Sequence, residues 1–437
     1  MKELLTSFIL KVIGSFFTLF LAAMLFGNAI LLYVSIVPLL VAVFALIFDT
    51  PGNVNFARKE DKLSAWVNGT VEISVKIKAD KGFGIITVTD PLPDHFEIVE
   101  GSNFRVFWKG FGRLSEELHY RVRCTKRGIY HVGPTKYECR HISSFKQTEI
   151  SVGQDITELI VRQKPLNIRR LRDPRVVSRI PMPLGSTSKL GMMTTDFKEI
   201  REYSYGDSYR HINWKATARS NSPTHNWPLV NEFEREGKKV VWVFLDGSAS
   251  MATGTNIENA FEYAVQAVLG LSQFYLARNC HIGLYVYNDE GKSLLPDTGR
   301  RQEYKIYRTT LGLEVSVTKE PLKKAVSKCR GHLTGANPFS IIITDVQKEN
   351  LQELLDGIKE LKKYSKSVGK QSQILVLHVN GCSVAAKGYY ENAGAVLLDL
   401  RNQATIRALR RAGVFVTPWN PKRESLASLM VLGVQRR

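Results

Sequence analysis

The sequence predicts an all-β sandwich domain and an α/β doubly wound domain, preceded by an N-terminal pair of transmembrane helices. Three observations carry this. Val12 to Phe48 contains no charged residue. Residues from about 60 to 160 alternate apolar and polar in short runs. From Lys238 onward, apolar runs of strand length alternate with stretches of helical period. The expected boundaries are a two-helix hairpin over 1–50, the β-sandwich over 51–161, a basic connecting region over 162–237 and the α/β domain over 238–437.

The uncharged run is nearly twice the ~20 residues that one membrane-spanning helix needs. Gly27-Asn28 is its natural break, giving helices near Val12–Phe26 and Ala29–Phe48. The run continues far past the apolar core of a signal peptide, and no A-x-A cleavage site follows. Lys2 and Lys11 precede the pair, Arg58, Lys59 and Lys62 follow it, and the turn has no cation. The positive-inside rule then predicts a multi-pass protein of the cell membrane, with the lipid bilayer around residues 6–48 and both termini and the soluble domains cytoplasmic. The five cysteines (Cys124, Cys139, Cys280, Cys329, Cys382) form no C-x-x-C pair, which agrees with free thiols in a reducing compartment.

Beyond a Pro51-Gly-Asn53 linker, TVEISVKIKA, GIITVTD, ELHYRVRC and KYECRHI have the period of two of half-buried strands. Turn residues separate them at Asp80-Lys-Gly, Pro91-Leu-Pro-Asp, Lys126-Arg-Gly and Gly133-Pro. Short strands with no helix between them imply a small immunoglobulin-like sandwich.

Residues 162–236 show little periodicity, so loops and short elements are expected. The net charge of +19 favours acidic partners, and its local excess lies here, with thirteen Lys/Arg against five Asp/Glu from Arg162 to Arg219. Such a stretch is usually a solvated face.

From Lys238 the order is strand (KVVWVFLD), helix (256–278), strand (HIGLYVYN) and helix (EPLKKAVSKC). Strand FSIIITD, helix NLQELLDGIKELKKY, strand QILVLHV, helix NQATIRALRRAG and strand VFVTP follow. This alternation is that of a parallel sheet with helices on both faces, and ligands of such sheets sit at the carboxyl ends of the strands. Asp246 and Asp345 each close a strongly apolar strand.

The first of these ends reads LDGSASM. A nucleophile elbow needs G-x-S-x-G, and Ser248 follows Gly247 directly, so that spacing fails. His378, inside QILVLHV, reads as a buried strand residue rather than a triad member. The chain has no P-loop, no H-E-x-x-H and no EF-hand loop. Two readings stay open. In one, the serines cap the next helix. In the other, alternate side chains of an extended loop bring Asp246, Ser248 and Ser250 onto a hard divalent cation, to which hydroxyls add oxygen without charge.

D-x-S-x-S after the first strand resembles the metal-ion-dependent adhesion site of von Willebrand factor A domains. That resemblance implies a metal site of Asp246, Ser248, Ser250, a later threonine and Asp345, with Mg2+ or another divalent cation such as Mn2+ or Ca2+. Thr318 is the threonine it points to, with Thr309 and Thr310 as alternatives; Val346 and Pro321 depart from the pattern. Upstream, REYSYGDSYRHINWKATARS (201–220) resembles the signature of domain-of-unknown-function family 58. Arg201, Tyr203, Gly206, Asp207, Arg210, Ile212, Trp214, Ala218 and Arg219 carry the match, and KRGIYHVGP resembles the same family. Arg201 is expected to pair with Asp207, Gly206 to permit a turn and Trp214 to pack beneath the sheet.

The resemblance implies a MoxR-type AAA+ ATPase as partner. The expected function is a membrane-anchored, non-enzymatic adaptor in chaperone-like assembly or maturation of an unidentified client protein. A partner's Asp or Glu would complete the metal coordination, with the exposed arginines of the signature as a docking patch. Two rivals come from other classes. One is a membrane-tethered nucleic-acid-binding protein using the basic 162–219 region, although phosphate contact is the less usual role of such a stretch. The other is a hydrolase using Ser248.

Overall fold

The computed structural model describes residues 7–47, 49–141, 148–166, 168, 181–183, 187–204, 207–219, 228–236, 239–287, 291–318, 320–334, 338–365 and 373–429. The chain divides into two compact units, Met1–Lys164 and Pro165–Arg437.

The first unit opens with helices Ser7–Phe26 and Ala29–Ile47. Gly27 turns between them at φ 57°, and Asn28 Oδ1 accepts the amide of Ile30 at 2.9 Å. The expected transmembrane pair is overturned. Among the described residues, no helix is long and apolar enough to cross a membrane. The uncharged run is cut into helices of 20 and 19 residues, one carrying Lys11 and the other Pro38. The turn at Gly27 divides the run, so neither helix uses its full apolar length. The bilayer as partner of residues 6–48 falls with the pair, as do the multi-pass localisation and the cytoplasmic placement derived from it; Thr6 and Phe48 lie outside the described residues.

The remainder of this unit is β-rich, with strands β1 (Gly52–Arg58), β2 (Lys62–Trp66), β3 (Thr70–Lys81), β4 (Gly84–Thr89), β5 (Phe96–Gly101) and β6 (Phe104–Lys109). β7 (Leu114–Cys124), β8 (Gly128–Val132), β9 (Lys136–His141), β10 (Glu149–Val152) and β11 (Thr157–Arg162) complete it. They form sheets of order β1-β3-β7-β5, β10-β9-β4-β6 and β2-β11-β8. Alternate residues of the strands point inward, and Val75, Ile77, Ile86, Val88, Val122 and Leu159 are buried in one core. Polar residues also cross it. Arg58, at the end of β1, sends Nη2 to Asp90 Oδ1 and Nε to Asp155 Oδ2, both at 2.8 Å. Tyr120 on β7 donates to the other oxygen of Asp90 at 2.6 Å, and Thr135 donates to Asp155 Oδ2 at 2.6 Å. One guanidinium thus ties the end of β1 to the loops that follow β4 and precede β11.

In the second unit, β12 (Thr187–Glu202) pairs with β13 (Leu229–Glu236) in an antiparallel ribbon interrupted by register shifts. A long ribbon therefore stands where loops and short elements were expected. Its sequence carries no steady period of two, and its pairing shifts register along its length.

A six-stranded sheet follows, built from β14 (Val240–Asp246), β15 (His281–Tyr287), β16 (Lys292–Asp297), β17 (Phe339–Thr344), β18 (Ile374–Val379) and β19 (Phe415–Trp419). Its order is β16-β15-β14-β17-β18-β19. All neighbours are parallel except β16, which runs antiparallel to β15 along one edge. Every residue of β14, β17 and β18 is buried, so these strands read as unbroken apolar runs. Val241, Val243 and Leu245 pack on one side with helices Ala260–Leu276 and Gly299–Leu311. Trp242 and Phe244 pack on the other with Leu322–Lys328, Leu351–Ser365 and the end of Tyr389–Arg411. Trp242 is accommodated because its neighbour in β15 is Gly283, where a Cβ would lie 2.8 Å from the indole. Both edge strands contain a proline, Pro296 within the register shift of β16 and Pro418 in β19.

Replacing Arg58 by alanine leaves two carboxylates without their cation, at side-chain exposures of 0% for Asp90 and 4% for Asp155. The expected loss is about 3–5 kcal/mol of unfolding free energy. Denaturant melts should show most of it recovered when Asp90→Asn and Asp155→Asn are added. A loss below about 1 kcal/mol, the range of an exposed ion pair, would contradict this account.

Candidate functional site

β14 is the point where the chain changes direction across the sheet. From it the next strand, β15, is laid on one side, and β17 returns to the other. Crevices of doubly wound sheets open at the carboxyl ends of such strands. Asp246 is the last residue of β14, and Asp345 directly follows β17.

Asp246 is fully buried and both its oxygens are engaged. Oδ1 accepts the Ser248 amide at 2.9 Å, which bends the chain out of the strand. Oδ2 accepts the Thr344 hydroxyl at 2.6 Å, bonding the end of β14 to that of β17. Ser248 is extended and Ser250 lies within the 3-10 turn that follows it, and their hydroxyl oxygens are 2.9 Å from each other. The next helix is capped by Asn259, whose side chain accepts the Glu262 amide, so these serines are not its caps. A short 3-10 turn over Ala249–Ala252 intervenes.

A second loop closes over the first. Ser316 forms a bridge with Ser248, its amide donating to the Gly247 carbonyl at 2.8 Å. Ser316 Oγ lies 3.4 Å from Thr318 Oγ1, and Thr318 is exposed. Thr318 therefore joins the group through Ser316. Thr309 and Thr310 both lie in helix Gly299–Leu311, where the buried Thr310 hydroxyl donates to the Tyr307 carbonyl.

Asp345 is 3% exposed. Its Oδ2 accepts from Gln347 Nε2 at 2.8 Å and its backbone carbonyl from Asn350 Nδ2 at 2.8 Å. Burial pushes its carboxyl up to about 6; the Gln347 donor pulls the other way, and the charge of Asp246 adds to the rise. His378 of β18 lies alongside, with Nδ1 3.4 Å from Asp345 Oδ1 and accepting the Val346 amide at 2.9 Å. Burial lowers its pKa to about 4, so the imidazole is neutral near pH 7. The phenol of Tyr287, buried beside Asp246, is held well above its ordinary value by desolvation and by that carboxylate. Among the described residues, no group of three or more His, Cys, Asp and Glu side chains is placed to hold a metal. The oxygens that gather here are two carboxylates and a set of hydroxyls, a donor composition suited to a small hard cation or to hydrogen-bonding a ligand.

The signature residues form a separate network. Arg201 makes a two-pronged contact with Asp207, Nη1 to Oδ2 at 2.7 Å and Nη2 to Oδ1 at 2.6 Å. Its Nε lies 3.3 Å from Glu232 on the partner strand of the ribbon. Arg201 holds the Asp207 carboxyl below the usual carboxylate range, helped by the Ser204 amide. Tyr203 stacks on Tyr209 with ring centres 5.8 Å apart. Ile212 is buried against Val230, and Asn213 caps the helix Trp214–Arg219 through the Ala216 amide. Trp214 does not pack beneath the sheet. It is 67% exposed, because Ile212 and Asn213 take the inward positions of this turn. Arg210, Ala218 and Arg219 are exposed, and Gly206 lies outside the described residues.

Residues 199–375 match the family described as Protein of unknown function DUF58. The matched stretch includes both the signature network and the two strand-end aspartates, and it stops before His378. No curated protein matches the chain. Among solved structures, a non-cellulosomal cohesin from Archaeoglobus fulgidus is 15% identical over 25% of this chain and 91% of its own, at a TM-score of 0.18. An aerotolerance-related membrane protein from Bacteroides fragilis is 15% identical over 37% of this chain and 97% of its own, at 0.24. A protein of unknown function from Porphyromonas gingivalis is 9% identical over 35% and 73%, at 0.20. Likenesses at such scores carry no argument about function.

Sequence reasoning missed Thr344, Ser316, Gln347 and Asn350, which hold the aspartates and their loops; His378 was read correctly as a buried strand residue, but not as a neighbour of Asp345. Thr344 was hidden in a run read only for hydropathy. Position next to an apolar strand's end was the signal that could have singled it out.

Asp345 binds its proton more tightly folded than unfolded, about 6 against ~4. Its contribution to stability is therefore complete below ~4 and is lost as pH rises through about 6. In cation-free buffer, wild type should lose about 1–2 kcal/mol relative to Asp345→Asn between pH 5 and pH 8, read from urea melts. An unchanged difference between the two pH values would show that Asp345 ionises normally.

Proposed function

We propose that the α/β unit is a non-enzymatic binding module. Asp246, Ser248, Ser250 and Asp345, with Thr318 at the rim, would hold a divalent cation, and an Asp or Glu of a protein partner would complete its coordination. The observation that carries this reading is the burial of two carboxylates at adjacent strand ends beside paired hydroxyls. Mg2+ suits the set best, because it takes few protein oxygens and keeps several waters; Ca2+ asks for more ligands than gather here, and Mn2+ is the closer substitute. Bound there, the cation would supply positive charge that offsets Asp246 and Asp345 and leaves a position for an incoming carboxylate. The chain's own residues do the rest. Thr344 and the Ser248 amide fix Asp246, Gln347 orients Asp345, and the Ser316 bridge holds the second loop against the first.

The resemblance to von Willebrand factor A domains supports the metal reading, and the family match supports the wider comparison from which a MoxR-type AAA+ ATPase is proposed as partner. In that setting the protein is an adaptor, and energy for client assembly or maturation comes from the ATPase.

The hydrolase reading gains no support from the site. Ser248 Oγ bonds Ser250 Oγ, and the nearby histidine is neutral, buried and turned to the Val346 amide. The nucleic-acid reading loses Arg201, which is committed to Asp207 and Glu232.

Addition of Mg2+ at a hundred times its dissociation constant should raise the stability of wild type by about 2–3 kcal/mol and leave Asp246→Ala unmoved, read by thermal unfolding. Capture of a purified MoxR-type ATPase should require both Mg2+ and Asp246. Equal capture with EDTA, or by Asp246→Ala, would exclude a metal-gated contact.

A further inference from the structure

Trp214 and Tyr209 are 67% and 76% exposed, although the residues around them are built into a bonded turn. The turn is held from beneath. Ile212 is buried on Val230, Asn213 Nδ2 donates to Asn231 Oδ1 at 2.9 Å, and Thr217 both donates to the Asn213 carbonyl and accepts the Leu229 amide. The Arg201–Asp207 contact and the Ser204 amide close its other side. A fixed scaffold therefore presents two large aromatic side chains outward, where they gain nothing from the protein's own core.

Cations lie among them. Arg210, Lys215 and Arg219 are exposed, and among the described residues none makes an ion pair with a carboxylate. Arg201, by contrast, is neutralised by Asp207 and Glu232. Trp, Tyr and Arg on a rigid surface are the residues that dominate protein interfaces, where the aromatic faces take apolar contact and the guanidinium groups take carboxylates.

We propose that this turn is a docking surface for an acidic protein segment, with Trp214 and Tyr209 as its apolar anchors and Arg210, Lys215 and Arg219 as its anion contacts. A single-stranded nucleic acid is the other ligand of aromatic and basic surfaces, and it fits less well. Tyr209 is already stacked on Tyr203, so that pair is not splayed to sandwich bases. Carboxylates carried singly on a peptide can meet single cations one at a time. This surface is independent of the cation site proposed above, and its ligand binds with or without metal.

The test uses the full chain and fluorescence anisotropy of a labelled peptide of about twelve residues that alternates Glu with Leu, a length that covers a few turns or strands of contact. Its partner probes are a Lys-for-Glu version and a single-stranded oligouridine of equal length. Wild type should bind the Glu peptide, in Mg2+ and in EDTA alike. Trp214→Ala, and the pair Arg210→Glu with Arg219→Glu, should each weaken binding about tenfold or more with melting temperature unchanged, since the side chains removed are exposed. Lys323→Glu with Lys324→Glu, on an exposed face of another helix, should change it little. Equal loss from the Lys323/Lys324 pair would reduce the effect to general charge and overturn the proposal. Failure of wild type to bind the Glu peptide, or tighter binding of oligouridine, would overturn it as well. Because the contact is metal-independent, loss of Mg2+ binding by itself would touch only the function proposed for Asp246 and Asp345.

Discussion

Two carboxylates buried at neighbouring strand ends set the conditions that the loops around them satisfy. A charge taken from water must be met by donors, and here each aspartate is met by groups that also define chain direction. The Ser248 amide turns the chain out of β14 to reach Asp246, and the Thr344 hydroxyl welds the end of β17 to it. Gln347 meets the Asp345 carboxylate, and Asn350 holds the backbone carbonyl of the same residue. The loops are held in place by the solvation of the acids, so the site and its support are one structure. Burial still raises the Asp345 carboxyl, against the pull of the Gln347 donor.

What was legible in the sequence followed from burial on both faces. KVVWVFL and FSIIIT contain no exposed position, so their apolar runs could be read as central strands without knowing their order. Asp246, Ser248, Ser250 and Asp345 were legible because they interrupt such runs at a strand's end. The ribbon Thr187–Glu202 with Leu229–Glu236 was not, since two strands with register shifts impose no period on the chain. The uncharged N-terminal run misled for a related reason. Hydropathy counts residues, whereas spanning depends on helix length, and the turn at Gly27 divides the run between two helices. Trp214 misled in the opposite sense. Its fixed spacing in a recognisable signature says that the residue matters, and spacing over six helical residues does not say which way the side chain faces.

Two kinds of polar organisation appear in the chain. In the first unit, Arg58 is enclosed by Asp90, Asp155, Tyr120 and Thr135, so that both buried carboxylates share one cation. In the second, among the described side chains, Asp246 and Asp345 have donors but no cation beside them, and Arg210, Lys215 and Arg219 make no ion pair with a carboxylate. The shared cation serves folding. Carboxylates without a cation, and cations without a carboxylate, are where the protein has affinity to offer.

The prolines of the two edge strands bear on what happens while the chain is being made. Unpaired sheet margins recruit other chains, and a newly synthesised parallel sheet leaves its margins open for long periods. Pro296 and Pro418 each remove an amide from a margin, and the shifted register around Pro296 bends the ladder there. Strands β14, β17 and β18 are thus enclosed, once β19 is in place, between margins that pair poorly with another chain.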